Sequence, residues 1–95
     1  MHETGIVRAL VRKLEAAAEV AGAQRVVSVE VWLGALTQFS PAHFREHFDE
    51  EVRGTRAAGA ALRIVASHDM HDPRAQSVIM QGVEFDVADE EGGAP

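Results

Sequence analysis

The chain carries five histidines and no cysteine, so metal chemistry here must run through imidazole, carboxylate or backbone nitrogen. His2 stands directly behind Met1. A free α-amine, the backbone nitrogens that follow and the His2 imidazole can close fused chelate rings about one ion. A nitrogen-rich, roughly square-planar donor set of that kind suits Ni(II) or Cu(II). Taken alone, a histidine at position two is most simply a solvated terminal residue. His43 and His47 lie four residues apart, one turn from each other on a helix, and Glu50 or Glu51 could add an oxygen ligand. The simpler reading of that pair is a solvated stripe beside a core edge, because two histidines without a third ligand seldom make a site. His68-Asp69-Met70-His71-Asp72 gathers two imidazoles and two carboxylates in one short stretch. Such a loop would bind a cation weakly, since ordering it costs entropy, and a polar connector is the simpler reading.

Other chemistries find little support. Gly54-Thr55, Gly82 and Gly92-Gly93 do not make a phosphate loop. No activated nucleophile or paired acid and base stands out, so an enzyme is disfavoured. The net charge is −6 and the nine Lys and Arg are scattered, which argues against a nucleic-acid partner. No apolar run approaches the roughly 18 residues that span a bilayer. The amino-terminal residues lack signal-peptide order: Glu3 comes first, and Arg8, Arg12 and Lys13 break the apolar positions. Without cysteine there are no disulfides and no thiolate sites, and a cytoplasmic location is the default expectation. Hydrophobic content of 46% and charged content of 25% are those of one ordinary globular domain.

Periodicity supplies the elements that must position these residues. Glu3 to Ala21 reads as a helix, with Ile6, Leu10, Leu14, Ala17 and Ala21 as its apolar stripe and Val7, Val11 and Ala18 at the flank. Gly22 is its stop signal. Arg25 to Leu33 reads as a strand with Val27, Val29, Val31 and Leu33 on one face. A second helix starts at Ser40, a good N-cap, with Pro41 at its first position. Phe39 and Phe44 can form a hydrophobic staple there. Phe44, Phe48 and Val52 then repeat at four-residue steps, and Gly54 closes the helix. Ala60 to Ser67 and Ser77 to Ala88 read as strands, with Gly82 marking a bulge or kink. His68 to Gln76 is the loop between them. The expected architecture is α+β: two helices packed on one face of a three-stranded mixed β-sheet, in the order α-β-α-β-β. The first strand pair should be parallel and the last strand antiparallel.

Several features then fall in one order. The chain opens Met1-His2-Glu3. Val29-Glu30-Val31-Trp32-Leu33-Gly34 follows the first helix, and Ser40-Pro41 opens the Phe44/Phe48 helix. Gly59-Ala60-Ala61-Leu62-Arg63-Ile64 and Gln81-Gly82-Val83-Glu84-Phe85-Asp86-Val87 complete the series. This resembles the HypA/HybF family of nickel chaperones for nickel–iron hydrogenase maturation, over nearly the whole chain. The resemblance implies a nickel-binding domain over residues 1–88, with 89–95 an acidic, Gly-rich tail expected to be disordered. It implies Ni(II) as cargo and a non-enzymatic role. The nickel ligands it implies are carried by Met1, His2 and Glu3: the amine, the backbone amides of residues two and three, and the His2 imidazole. Its implied partners are a HypB-type GTPase and the hydrogenase large subunit, with a homodimer also allowed. The family carries a zinc domain built on paired CxxC motifs between the last two strands. This chain has only His68 to Gln76 there, so no structural zinc is expected. A metal-independent scaffold of the maturation machinery is the alternative. The first helix is a candidate partner surface, with Val7 and Val11 partly exposed beside Arg8 and Arg12; the competing expectation is that both valines are core.

Overall fold

A computed structural model describes residues 3–87. Met1, His2 and the expected tail at 89–95 lie outside the described residues. The elements are α1 (Glu3–Val20), β1 (Ala23–Leu33), α2 (Pro41–Glu51), β2 (Ala61–Ala66) and β3 (Val78–Val87). The three strands form one sheet in the order β2-β1-β3. β1 runs parallel to β2, from Ser28 opposite Ala61 to Leu33 opposite Ala66, and antiparallel to β3. The α+β order and the mixed sheet are those the sequence pattern implies.

Local chemistry explains where the helices begin and end. α1 closes on Gly22, whose φ of 69° is left-handed backbone that a residue without Cβ adopts freely. Ser40 caps α2 by accepting a hydrogen bond from the His43 amide at 3.1 Å, and Pro41 follows in the first turn. The Phe39 and Phe44 rings pack edge to face with centroids 5.3 Å apart, so the staple forms.

β1 departs from simple alternation. The antiparallel register shifts between Ala23 and Arg25 and between Val26 and Ser28, leaving Gln24 and Val27 as extra residues on β1. A third shift leaves Gln81 as the extra residue on β3, next to Gly82, where a bulge or kink was expected. Each extra residue reverses the phase of the side chains beyond it. Val26 is therefore buried and Val27 is 39% exposed, the reverse of the expected face. Val29, Val31 and Leu33 remain in the core.

The α1 face is also rotated from expectation. Val7, Leu14 and Ala18 are fully buried, with Leu10 and Val11 nearly so, while Ala17 is half-buried and Ala21 exposed. Phe44 and Phe48 of α2 are the largest side chains in the core. Each contributes about 1.5–3 kcal/mol through burial alone.

The connection from Ser67 to Ser77 folds back onto the end of β1. The Ser67 amide donates to the Leu33 carbonyl, the Gly34 amide to the Ser77 carbonyl and the Leu36 amide to the Ala75 carbonyl, all within 2.8–2.9 Å. A Cβ on Gly34 would meet the Ala75 carbonyl oxygen at 2.2 Å, a backbone atom that cannot swing aside. Gly34→Ala should therefore destabilise the protein by about 3 kcal/mol, at the upper end of overpacking costs. Chemical denaturation of the purified variant checks this, and a midpoint equal to that of the parent would contradict the close approach.

Candidate metal centre

The imidazoles of α2 come together. His43 and His47 place their Nε2 atoms 3.2 Å apart, with ring centroids separated by 4.7 Å. Both side chains are partly buried. The Phe39 ring packs against both, with centroids 6.2 Å from His43 and 6.5 Å from His47 in edge-on geometry. Gln38, the residue before it, has φ of 68°, a conformation costing a residue with Cβ about 1–2 kcal/mol. The loop thus bends sharply just where Phe39 turns inward. The i, i+4 spacing made the pairing legible in the sequence. The backing by Phe39 was not, because Phe39 was assigned only to the staple with Phe44. Glu50 and Glu51 do not join the pair: among the described residues no three His, Asp or Glu side chains converge on one point.

The loop at His68–Asp72 is built as a turn. The Asp69 carboxylate accepts from the His71 amide at 3.0 Å, and the Asp69 amide donates to Ser67 Oγ at 3.1 Å. Asp72 accepts from the Arg74 amide at 2.7 Å and from its guanidinium at 3.2 and 3.3 Å. Those bonds hold the Asp72 carboxyl below its ordinary range, the side-chain bonds from Arg74 contributing most. Arg74 also lies over the Trp32 ring, 4.8 Å from its centroid. Both carboxylates are thus committed to local backbone and to Arg74, while His68 and His71 are exposed.

Two ion pairs tie α1 to the end of α2 and the turn after it. Arg8 forms a two-pronged ion pair with Glu51, both bonds 3.2 Å. Further along, the Glu15 carboxylate accepts from the Arg56 amide at 3.1 Å and from its guanidinium at 2.9 Å. α1 turns back into β1 at Ala21-Gly22, and α2 is the crossover between the parallel strands β1 and β2, so both helices run against β1 and point the same way. Glu51 at the end of α2 meets Arg8 in the second turn of α1, so His47, one turn before Glu51, lies toward the start of α1. Of the expected nickel ligands, Met1 and His2 lie outside the described residues, and Glu3 contributes the first residue of α1.

The expected partial exposure of Val7 and Val11 is corrected by the same packing, and the competing expectation, that both are core, holds. Val7 and Val11 are core, because they face the sheet and α2. Arg8 remains half-exposed but is paired with Glu51. Ile6 of α1 is left partly open, and with Ala9, Leu10 and Lys13 it borders a shallow groove against Val78 and Met80 of β3.

Residues 1–71 match the family described as hydrogenase/urease nickel incorporation, metallochaperone, HypA. This chain belongs to the HypA family. It is similar to the hydrogenase maturation factor HypA of Chlorobium limicola, 39% identical over 64 residues that cover 67% of this chain and 55% of that protein. It is also similar to the hydrogenase maturation factor HypA of Acidithiobacillus ferrooxidans, 35% identical over 65 residues covering 68% and 58%. The chain thus matches a little over half the length of these curated relatives. The fold is that of the solution structure of the Ni metallochaperone HypA from Helicobacter pylori, with a TM-score of 0.77 at 16% identity over 93% of this chain and 100% of that one. A second solution structure of a HypA protein aligns with a TM-score of 0.71 at 18% identity over 90% of this chain and 96% of that one.

A tetrathiolate zinc site does not fit these residues. The chain has no cysteine, and the carboxylates between β2 and β3 already serve the turn. HypA membership therefore comes here without the sulfur ligands that hold such a zinc. His68→Ala with His71→Ala should leave metal stoichiometry and melting temperature unchanged, and chelator dialysis should not unfold the parent chain. Elemental analysis retaining about one zinc per chain after that dialysis would show that the loop or the His43/His47 pair is a metal site, and zinc lost from the double variant would place it in the loop.

Proposed function

We propose that this chain is a nickel-binding metallochaperone or accessory protein of nickel–iron hydrogenase maturation. It holds Ni(II) through Met1, His2 and Glu3 and passes it to a partner. The observation that carries the reading is the HypA family match over residues 1–71, which spans the Met-His-Glu opening. Amine, amide and imidazole nitrogens at successive positions are the donors that suit Ni(II) in a square-planar field. An ion held at a chain end by so few residues stays accessible, so a partner can replace the ligands one at a time. The role is that of a carrier rather than an enzyme. By resemblance to the family, its partners are a HypB-type GTPase and the hydrogenase large subunit, in the cytoplasm.

A metal-independent scaffold is favoured by one observation, the cysteine-free connection from Ser67 to Ser77, because it removes one source of metal-dependent structure. Nickel titration separates the two readings. His2→Ala in the untagged chain should abolish high-affinity Ni(II) binding while leaving the melting curve intact, since a terminal residue adds little to the core. An amino-terminal tag should do the same by consuming the free amine. If the parent chain binds nickel no better than the His2 variant, the assignment of His2 as a ligand fails; if neither form binds nickel, the scaffold stands.

A further inference from the structure

We propose that His43 and His47 form a second metal site, a two-imidazole clamp for a divalent transition-metal ion such as Ni(II), on the part of α2 that lies toward the start of α1. The bite distance is the first argument. Metal–imidazole bonds of about 2.0–2.1 Å put two nitrogens about 2.9 Å apart at a right angle and about 3.4 Å apart at the tetrahedral angle. The Nε2 atoms stand 3.2 Å apart, between those limits. At that separation the two rings share a hydrogen bond, which an ion replaces by taking both Nε2 lone pairs while one imidazole shifts its proton to Nδ1, with little movement of either side chain.

The second argument is pre-organisation. Both histidines ride on one helix, so the separation of their Cα atoms is set by backbone hydrogen bonds. The His43 amide is pinned to the Ser40 cap. The neighbouring residues Phe44 and Phe48 have the same spacing and are buried, which fixes the rotation of α2 about its axis. Phe39 closes one side of both rings and narrows the conformations each can take. The ordering cost that weakens a loop site is largely met before the ion arrives.

The donor chemistry selects the ion. Neutral imidazole suits nickel, copper and zinc. Two imidazoles bind more weakly than a fused chelate and exchange faster. The place is informative too: His47 lies one turn before Glu51, which pairs with Arg8, and so toward the end of α1 that follows the proposed nickel ligands. The role of the clamp, an entry or exit station for the carried ion, rests on that reading; the clamp itself does not.

The test titrates the untagged chain with NiCl2 in four forms: parent, His2→Ala, His43→Ala/His47→Ala, and the triple variant. Isothermal calorimetry measures the sites, and proton NMR follows broadening of the imidazole resonances by the bound ion. The parent should show a strong and a weak site. His2→Ala should keep only the weak one, with broadening at His43 and His47. The α2 double variant should keep only the strong one, its affinity unchanged. In the His2→Ala background, His47→Gln alone should weaken the remaining site about a hundred-fold, because one imidazole lacks the advantage of two linked donors. Circular dichroism establishes that the variants fold, and alanine favours the helix more than histidine. The clamp is overturned if His2→Ala binds no nickel, or if its residual binding survives loss of both α2 histidines. If the α2 site appears while His2→Ala leaves the strong site intact, the clamp stands and the amino-terminal assignment falls.

Discussion

β1 is paired along both edges, and everything else is hung on the face it turns toward the helices. Its core residues are Ala23, Val26, Val29, Val31 and Leu33. In a regular strand, positions three apart point to opposite faces. The extra residues Gln24 and Val27 cancel that reversal twice, so Ala23, Val26 and Val29 all reach the same core. Bulges also raise the local right-handed twist. The beginning of β1 is thereby bent against β3, and its second half runs regularly against β2, where the parallel register holds from Ser28 to Leu33 without a break.

What was legible in the chain follows from this. The helices were, because a 3.6-residue period persists over many turns and the Ser40-Pro41 and Gly22 signals are chemical rather than statistical. The sheet order was, because a strand–helix–strand unit and a short last connection leave few arrangements. The faces were not. Val26 and Val27 are both β-branched and equally good strand formers, so side-chain type cannot say which of them faces in. Only the partner strand, with Phe85 opposite Val26 and Glu84 opposite Ser28, decides it. On α1 the apolar residues cover too wide an arc to orient the helix. The Arg8–Glu51 and Glu15–Arg56 contacts link residues more than forty positions apart, and they set which side meets α2. Of the metal candidates, local spacing identified the α2 pair but not Phe39 behind it. The His68–Asp72 stretch, most simply a polar connector in the sequence, is one in the structure, its carboxylates serving as turn-makers, as Asp commonly does.

α2 shows how a short helix can serve two purposes with one period. Phe44 and Phe48 repeat every four residues, and His43 and His47 repeat one position earlier. The apolar pair anchors the helix in the core, and the polar pair inherits that rigidity at its boundary. The cap at Ser40 contributes to both, since its acceptor takes the amide of His43 itself. A polar device at the edge of a core need not recruit its own scaffold when the residues beside it already supply one.

The connection between β2 and β3 starts and finishes on the two sides of β1. Its first residue bonds to the Leu33 carbonyl and its last accepts from the Gly34 amide. Those ends are separated by about two strand spacings, roughly 10 Å. A gap so narrow can be bridged by a brief turn or occupied by the base of a larger inserted unit, and the cost of closure grows only slowly with the length inserted. The sheet experiences the same two hydrogen bonds in either case. Evolution can exchange what stands between Ser67 and Ser77 as a plug-in cassette, adding or deleting a module while the rest of the molecule folds as before.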